Sequence, residues 1–179
     1  MRSRTRVVAG VLLFLFGGAL LALALYAVVR SDNKGNGTAA VAAPLRALLA
    51  GATPARAPFD GLTQTRLDVG GRCLLVVIAD SEFERETGLM DRVDLGPYGG
   101  MLFVSPSNTS NAFTMSGTKV PLDIAWYRAD GSRGGAAQMV PCRDTVASCP
   151  LYRPPIAWRF ALETLHGGGV PAGDLGACA

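Results

Sequence analysis

CLLVVIADSEFERE, residues 73–86, changes character at its midpoint. Its first half, Cys73 to Ala79, is an unbroken apolar run rich in branched side chains, the pattern of a strand buried on both faces. Its second half opens a helix. Ser81 and Glu84 stand at the S-x-x-E spacing of a capping box, in which each side chain satisfies a backbone amide at the exposed helix end. The helix is expected to run to about Leu89, with Gly88 loosening its last turn. Glu82, Glu84 and Glu86 complement the dipole of the first turns and read as a solvated face.

Downstream, Gly96-Pro97-Tyr98-Gly99-Gly100 is a turn, and Met101 to Val104 a second short apolar strand. Ser105 to Asn111 (SPSNTSN) reads as a polar loop. Phe113 to Met115 and Leu122 to Tyr127 are strand candidates, and Asp130-Gly131 signals a hairpin returning through Ala136 to Val140. Trp158 to Thr164 alternates well enough for a further strand, whereas Gly167 to Gly176 reads as turns. Short strands in hairpin order with a helix near the start give an α+β domain. Its sheet is expected to be mostly antiparallel, or a small barrel, with one or two helices.

Upstream the chain is different. Val7 to Val29 carries no charge, and as a helix it would reach roughly 35 Å, enough for a bilayer core of about 30 Å. Arg2, Arg4 and Arg6 precede it, so the positive-inside tendency keeps residues 1–6 in the cytoplasm and sends everything after Arg30 outward. A cleaved signal peptide is the competing reading, with Ala22-Leu23-Ala24 as the cleavage signal, but the apolar core outlasts that tripeptide. Residues 30–61, rich in Gly, Ala and Pro, read as a flexible linker with one short helical turn around Leu45 to Leu49. The folded domain is expected over 62–179, making the protein a single-pass membrane protein with an extracytoplasmic C-terminal domain.

The net charge of +3 reflects those flanks: four of the 17 basic residues are Arg2, Arg4, Arg6 and Arg30, leaving 13 against 14 acidic ones. That balance argues against a nucleic-acid partner. All four cysteines, Cys73, Cys142, Cys149 and Cys178, fall on the exported side, where disulfides persist. Cys142 and Cys149 bracket a short loop and are expected to pair. Cys73 and Cys178 can pair only if the first strand meets the C-terminal tail. With His166 as the sole histidine, sitting beside three glycines and read as an exposed loop residue, no metal site and no cofactor are expected.

The richest stretch chemically is FTMSGTKVPLDIAW, residues 113–126. Ser116 and Lys119 spell the S-x-x-K of a serine nucleophile, but that motif needs a helix, and Pro121 pushes Val120 towards extended geometry. Asp123 is expected on the strand face opposite Leu122, Ile124 and Trp126, the less apolar one. There it either accepts backbone amides to pin the preceding turn or lines a cleft near Thr118 or Lys119. Met90, Met101, Met115 and Met139 read as core fillers. Tyr152 and Arg153, after Cys149-Pro150, would present an aromatic and a guanidinium at a loop rim.

Taken together, ADSEFERETGLM (79–90), GGMLFV (99–104), FTM with GTKVPLDIAW (113–126), the ADG turn, MVPC with CPLYRP (139–154) and FALE (160–163) resemble the family called domain of unknown function 192. The resemblance covers most of residues 70–176 and implies a compact, strand-rich domain, often exported. Relatives commonly carry an aromatic and an Asn where this chain has Thr114 and Gly117, so a pocket shaped by those two residues would differ here.

The sequence therefore points to a membrane-anchored domain that binds a ligand or a cell-envelope partner, with Met115, Thr118, Lys119, Asp123 and Tyr152 as contact candidates. The alternative is a hydrolase or transferase acting on envelope material, with Asp123 as general base and Lys119 or Thr118 assisting.

Overall fold

The computed structural model describes residues 40–143 and 146–179. The apolar run 7–29 and its flanks lie outside the described residues, and among those described no helix is long and apolar enough to cross a membrane. Residues 43–61, read from composition as part of a linker, carry ordered structure. Helix α1 (Ala43–Ala50) buries Leu45, strand β1 (Thr53–Pro54) pairs with the next strand, and Phe59 is buried. A few apolar side chains suffice to fasten an Ala- and Pro-rich segment once a surface exists to receive them.

The strand and helix read from residues 73–86 are present, and a strand not read from the sequence precedes them. β2 (Thr63–Val69) and β3 (Arg72–Ala79) form a hairpin, and β3 leads into α2 (Glu82–Thr87). The capping box is present in full: Ser81 Oγ accepts from the Glu84 amide at 3.2 Å, and the Glu84 carboxylate accepts from the Ser81 amide at 2.9 Å. Those amide bonds hold the Glu84 carboxyl below its usual range against the opposing effect of partial burial. Gly88, at φ 47°, ends the helix.

The chain then returns into β4 (Gly100–Thr109), which lies parallel to β3. β4 is longer than the apolar run alone suggests, because the polar residues Ser105 to Thr109, read as loop, continue the strand. β5 (Phe113–Thr114), β6 (Leu122–Tyr127), β7 (Arg133–Met139), β8 (Leu151–Tyr152), β9 (Trp158–Leu165) and β10 (Leu175–Ala177) complete the order. The main sheet runs β1-β2-β3-β4-β9-β6-β7, with β10 on β2, while β5 and β8 form a separate two-stranded ribbon. All pairings but β3 with β4 are antiparallel. The fold is α+β with a mostly antiparallel sheet and no closed barrel.

Both faces of the sheet are buried. On one, Val77, Met101, Phe103, Ile124 and Trp126 pack with Leu89, Met115 and Phe113. On the other, Val76, Ile78, Leu102, Ala125, Tyr127 and Leu162 pack with Leu45 of α1. The period-2 alternation of strands divides the two sets, and it places Asp123 with Ala125 and Tyr127, as expected. That face is no less buried than the other, however, since both Ala125 and Tyr127 are fully enclosed.

All four cysteines pair. Cys142 joins Cys149, and Cys73 joins Cys178 across a separation of 105 residues, which requires β10 to run beside β2 next to β3.

Candidate functional site

The FTMSGTKVPLDIAW stretch folds as β5, a tight turn and β6. The Thr118 amide donates to the Met115 carbonyl at 3.0 Å, closing a turn through Ser116 and Gly117. Gly117 has φ 70°, a left-handed conformation that side chains other than Gly, Asn or Asp rarely adopt, which accounts for the glycine. Its carbonyl accepts from the Asp91 amide and its amide donates to the Cys142 carbonyl, so the turn ties the exit of α2 to the start of the Cys142–Cys149 loop.

This arrangement separates the residues expected to act together. Lys119 pairs with Asp91 at 3.1 Å on the surface, where both are largely exposed. Asp123 Oδ1 instead meets His166 Nδ1 at 2.9 Å. Asp123 thus fastens the end of β9 rather than the turn before it, and His166, although exposed, has a buried partner. Opposite Asp123 in register stands Thr164, whose buried hydroxyl has no hydrogen-bond partner among the described residues. Met115 is enclosed in the core, and Tyr152 spends its hydroxyl accepting from the Val140 amide at 2.9 Å.

Thr118 alone of those candidates lines a cleft of about 550 Å³ between α2, β4, β5 and β9. Its lining combines polar residues with three aromatic side chains, Phe103, Phe113 and Trp158. Phe113 stands at the centre, with its ring 5.2 Å from Phe103 and 5.3 Å from Trp158, centre to centre. Trp158 belongs to this face although Phe160, two residues on, belongs to the other; the β4–β9 ladder is irregular here, with Val104 opposite Phe160 and Thr109 opposite Trp158. The indole of Trp158 is fixed by donating to the Asn111 carbonyl at 3.0 Å.

Glu163 also lines the cleft. It sits in β9 between β4 and β6, with Met101 and Ile124 as its register neighbours, and is 4% exposed. The approach of β9 to β4 at this point depends on Gly100, where a Cβ would lie 2.4 Å from the Glu163 carbonyl oxygen. The Glu163 carboxyl has no ion pair or side-chain hydrogen bond among the described residues. Burial therefore pushes its pKa up to about 8, so it is largely protonated at neutral pH.

In the sequence, FALE reads as part of a strand and as one of the family's segments, and Glu163 is not singled out. The available signal was a charge in an alternating strand, with Glu163 in phase with Ala161 and out of phase with Phe160 and Leu162. What periodicity could not say is that both faces of that strand are buried.

Residues 65–170, more than half of the chain, match the family DUF192, described as an uncharacterized ACR. The chain belongs to the DUF192 family. The matched span of this DUF192 protein takes in the cleft, the Gly117 turn, Asp123 and Glu163. Its fold is similar to the crystal structure of a protein of unknown function from Novosphingobium aromaticivorans, at 27% identity and TM-score 0.57, covering 70% of this chain and 93% of that one. It is also similar to a Sinorhizobium meliloti protein described provisionally as a transcription regulator, at 26% identity and TM-score 0.52, covering 62% of this chain and 88% of that one. No curated protein matches the sequence.

Proposed function

We propose that this DUF192 protein is a non-catalytic binding module of the cell envelope, held by residues 7–29 in the membrane with its domain outside, and that its ligand occupies the aromatic cleft. One observation carries the reading: a cavity of about 550 Å³ lined in part by Phe103, Phe113 and Trp158 holds the buried Glu163, which has no partner among the described residues. A concave apolar surface with a few convergent polar groups is the usual form of a small-molecule site. The pairing of all four cysteines fits an oxidising compartment. Thr118 is the contact candidate that shares the cleft, with the Cys142–Cys149 loop contributing Val146.

The test is thermal stabilisation of the full-length protein by a panel of envelope glycans, peptides and small amphiphiles, repeated on Phe113→Ala. A ligand that raises Tm in the wild type and loses that effect in the variant supports the reading. Stabilisation indifferent to Phe113 refutes it.

A second reading keeps the hydrolase or transferase with Asp123 as base, and the contact favouring it is the Asp123–His166 pair. A carboxylate that orients an imidazole is a recurrent acid–base arrangement. Turnover of envelope material abolished by Asp123→Asn in a folded protein would replace the binding reading with this one.

A further inference from the structure

The cleft has an uneven charge. Its lining contains the carboxyl groups of Glu82, Glu86 and Glu163 against the single guanidinium of Arg85. Arg85 is already committed, since its Nη1 donates to the carbonyls of Asp80 and Val104. Glu163 is the deepest of the three acids and has no partner among the described residues. Ionising a buried carboxyl is costly unless a cation accompanies it. Phe103, Phe113 and Trp158 line the same cleft, and aromatic rings stabilise a desolvated cation through their π faces.

Resting on the reading of this cleft as a ligand site, we propose that its occupant is a small organic ammonium ion with an aromatic or apolar body, its charged nitrogen paired to Glu163. The apolar body packs against Phe113 and Trp158, and the ammonium takes the place of the proton that Glu163 otherwise holds. On binding at neutral pH the carboxylic O–H bond breaks, the proton passes to bulk water, and an ammonium N–H donates to the resulting carboxylate. No second titratable group competes for that proton within the sheet, because the register neighbours Met101 and Ile124 carry none and Asp123 belongs to the opposite face. The charged groups facing the cleft from α2 are Glu82, Arg85 and Glu86, and the acids among them favour a cation at the mouth. A neutral hydrogen-bonding ligand would leave Glu163 protonated and make no use of the acidic rim.

The experiment is calorimetry on the full-length chain in nanodiscs at about pH 7, with benzylammonium and its neutral analogue benzyl alcohol, in buffers of differing ionisation enthalpy. Benzylammonium is expected to bind about tenfold or more tightly than benzyl alcohol and to release close to one proton, as a cation replacing a buried proton requires. Glu163→Gln should abolish the proton release and remove that preference, and Phe113→Ala should weaken both probes. Equal binding of the two probes, or ammonium binding without proton release, overturns the ammonium assignment while leaving the cleft as a ligand site if Phe113→Ala still weakens both. Absence of binding by either probe, or indifference to Phe113, overturns both inferences. Should Glu163→Gln fail to fold, proton release by the wild type decides alone.

Discussion

Asp123 Oδ1 and His166 Nδ1 lie 2.9 Å apart although 43 residues separate them, joining the first residues of β6 to the exit of β9. The backbone contact beside them, from the His166 amide to the Pro121 carbonyl at 3.0 Å, closes the same corner. Asp123 is 7% exposed, so removing its carboxyl leaves a hole that water fills poorly. Asp123→Ala is expected to destabilise the fold by about 1–3 kcal/mol. His166→Ala, which removes the more exposed partner, should cost less. Urea unfolding of the two variants checks the order.

Glu163 makes stability depend on pH in a defined direction. The fold holds its proton up to about pH 8, while the unfolded chain releases it near the ordinary glutamate value of 4.5. Between those values the native state binds more protons than the unfolded state. Stability from this group is therefore full below the lower value, falls as pH rises at up to about 1.4 kcal/mol per unit, and is lost above pH 8. Glu163→Gln should flatten that slope and raise stability most in mildly alkaline buffer. Tm measured against pH for both proteins tests it.

The disulfides differ in the loops they close, with separations of 105 residues for Cys73–Cys178 and 7 for Cys142–Cys149. On the chain-entropy model these correspond to about 5 and about 2 kcal/mol. Replacing Cys73 and Cys178 together by Ser should lower stability more than replacing Cys142 and Cys149. Equal losses in denaturant titrations would contradict the loop-length account.

Gly117 tests the turn. With φ at 70° and a Cβ that would meet the Met90 side chain only at an ordinary contact distance of 3.6 Å, Gly117→Ala pays for backbone conformation rather than for a clash. A loss of about 1–2 kcal/mol is expected. Gly117→Asn, which tolerates the left-handed region better, should recover part of it. Lys119→Ala, by contrast, breaks only an exposed ion pair and should change stability by less than about 1 kcal/mol.

Membrane attachment is tested separately. The full chain should remain with the membrane fraction through alkaline carbonate extraction, and a chain lacking residues 1–39 should not. Protease added outside the cell should reach the domain.

The sequence by itself determined most of the local structure. A capping box at Ser81 and Glu84, an Asp130-Gly131 hairpin and alternating strands are written in neighbouring residues, because caps, turns and pleats are decided over a few positions. It also singled out the Cys142–Cys149 pair and excluded the Ser116 nucleophile through Pro121. Tertiary structure decided which strands meet. The parallel alignment of β3 with β4 and the pairing of β10 with β2 follow from loop closures that no local signal specifies. The pairing of β9 with β6 sends Asp123 to His166 instead of Lys119. With β4 on its other side, β9 also holds Glu163 between Met101 and Ile124, in a cleft that aromatic residues of β4, β5 and β9 help to line. A carboxyl in an alternating strand looks solvent-facing in sequence. Only a second layer over that face, supplied by α2 and the β5–β8 ribbon, turns it into a buried acid in a cleft.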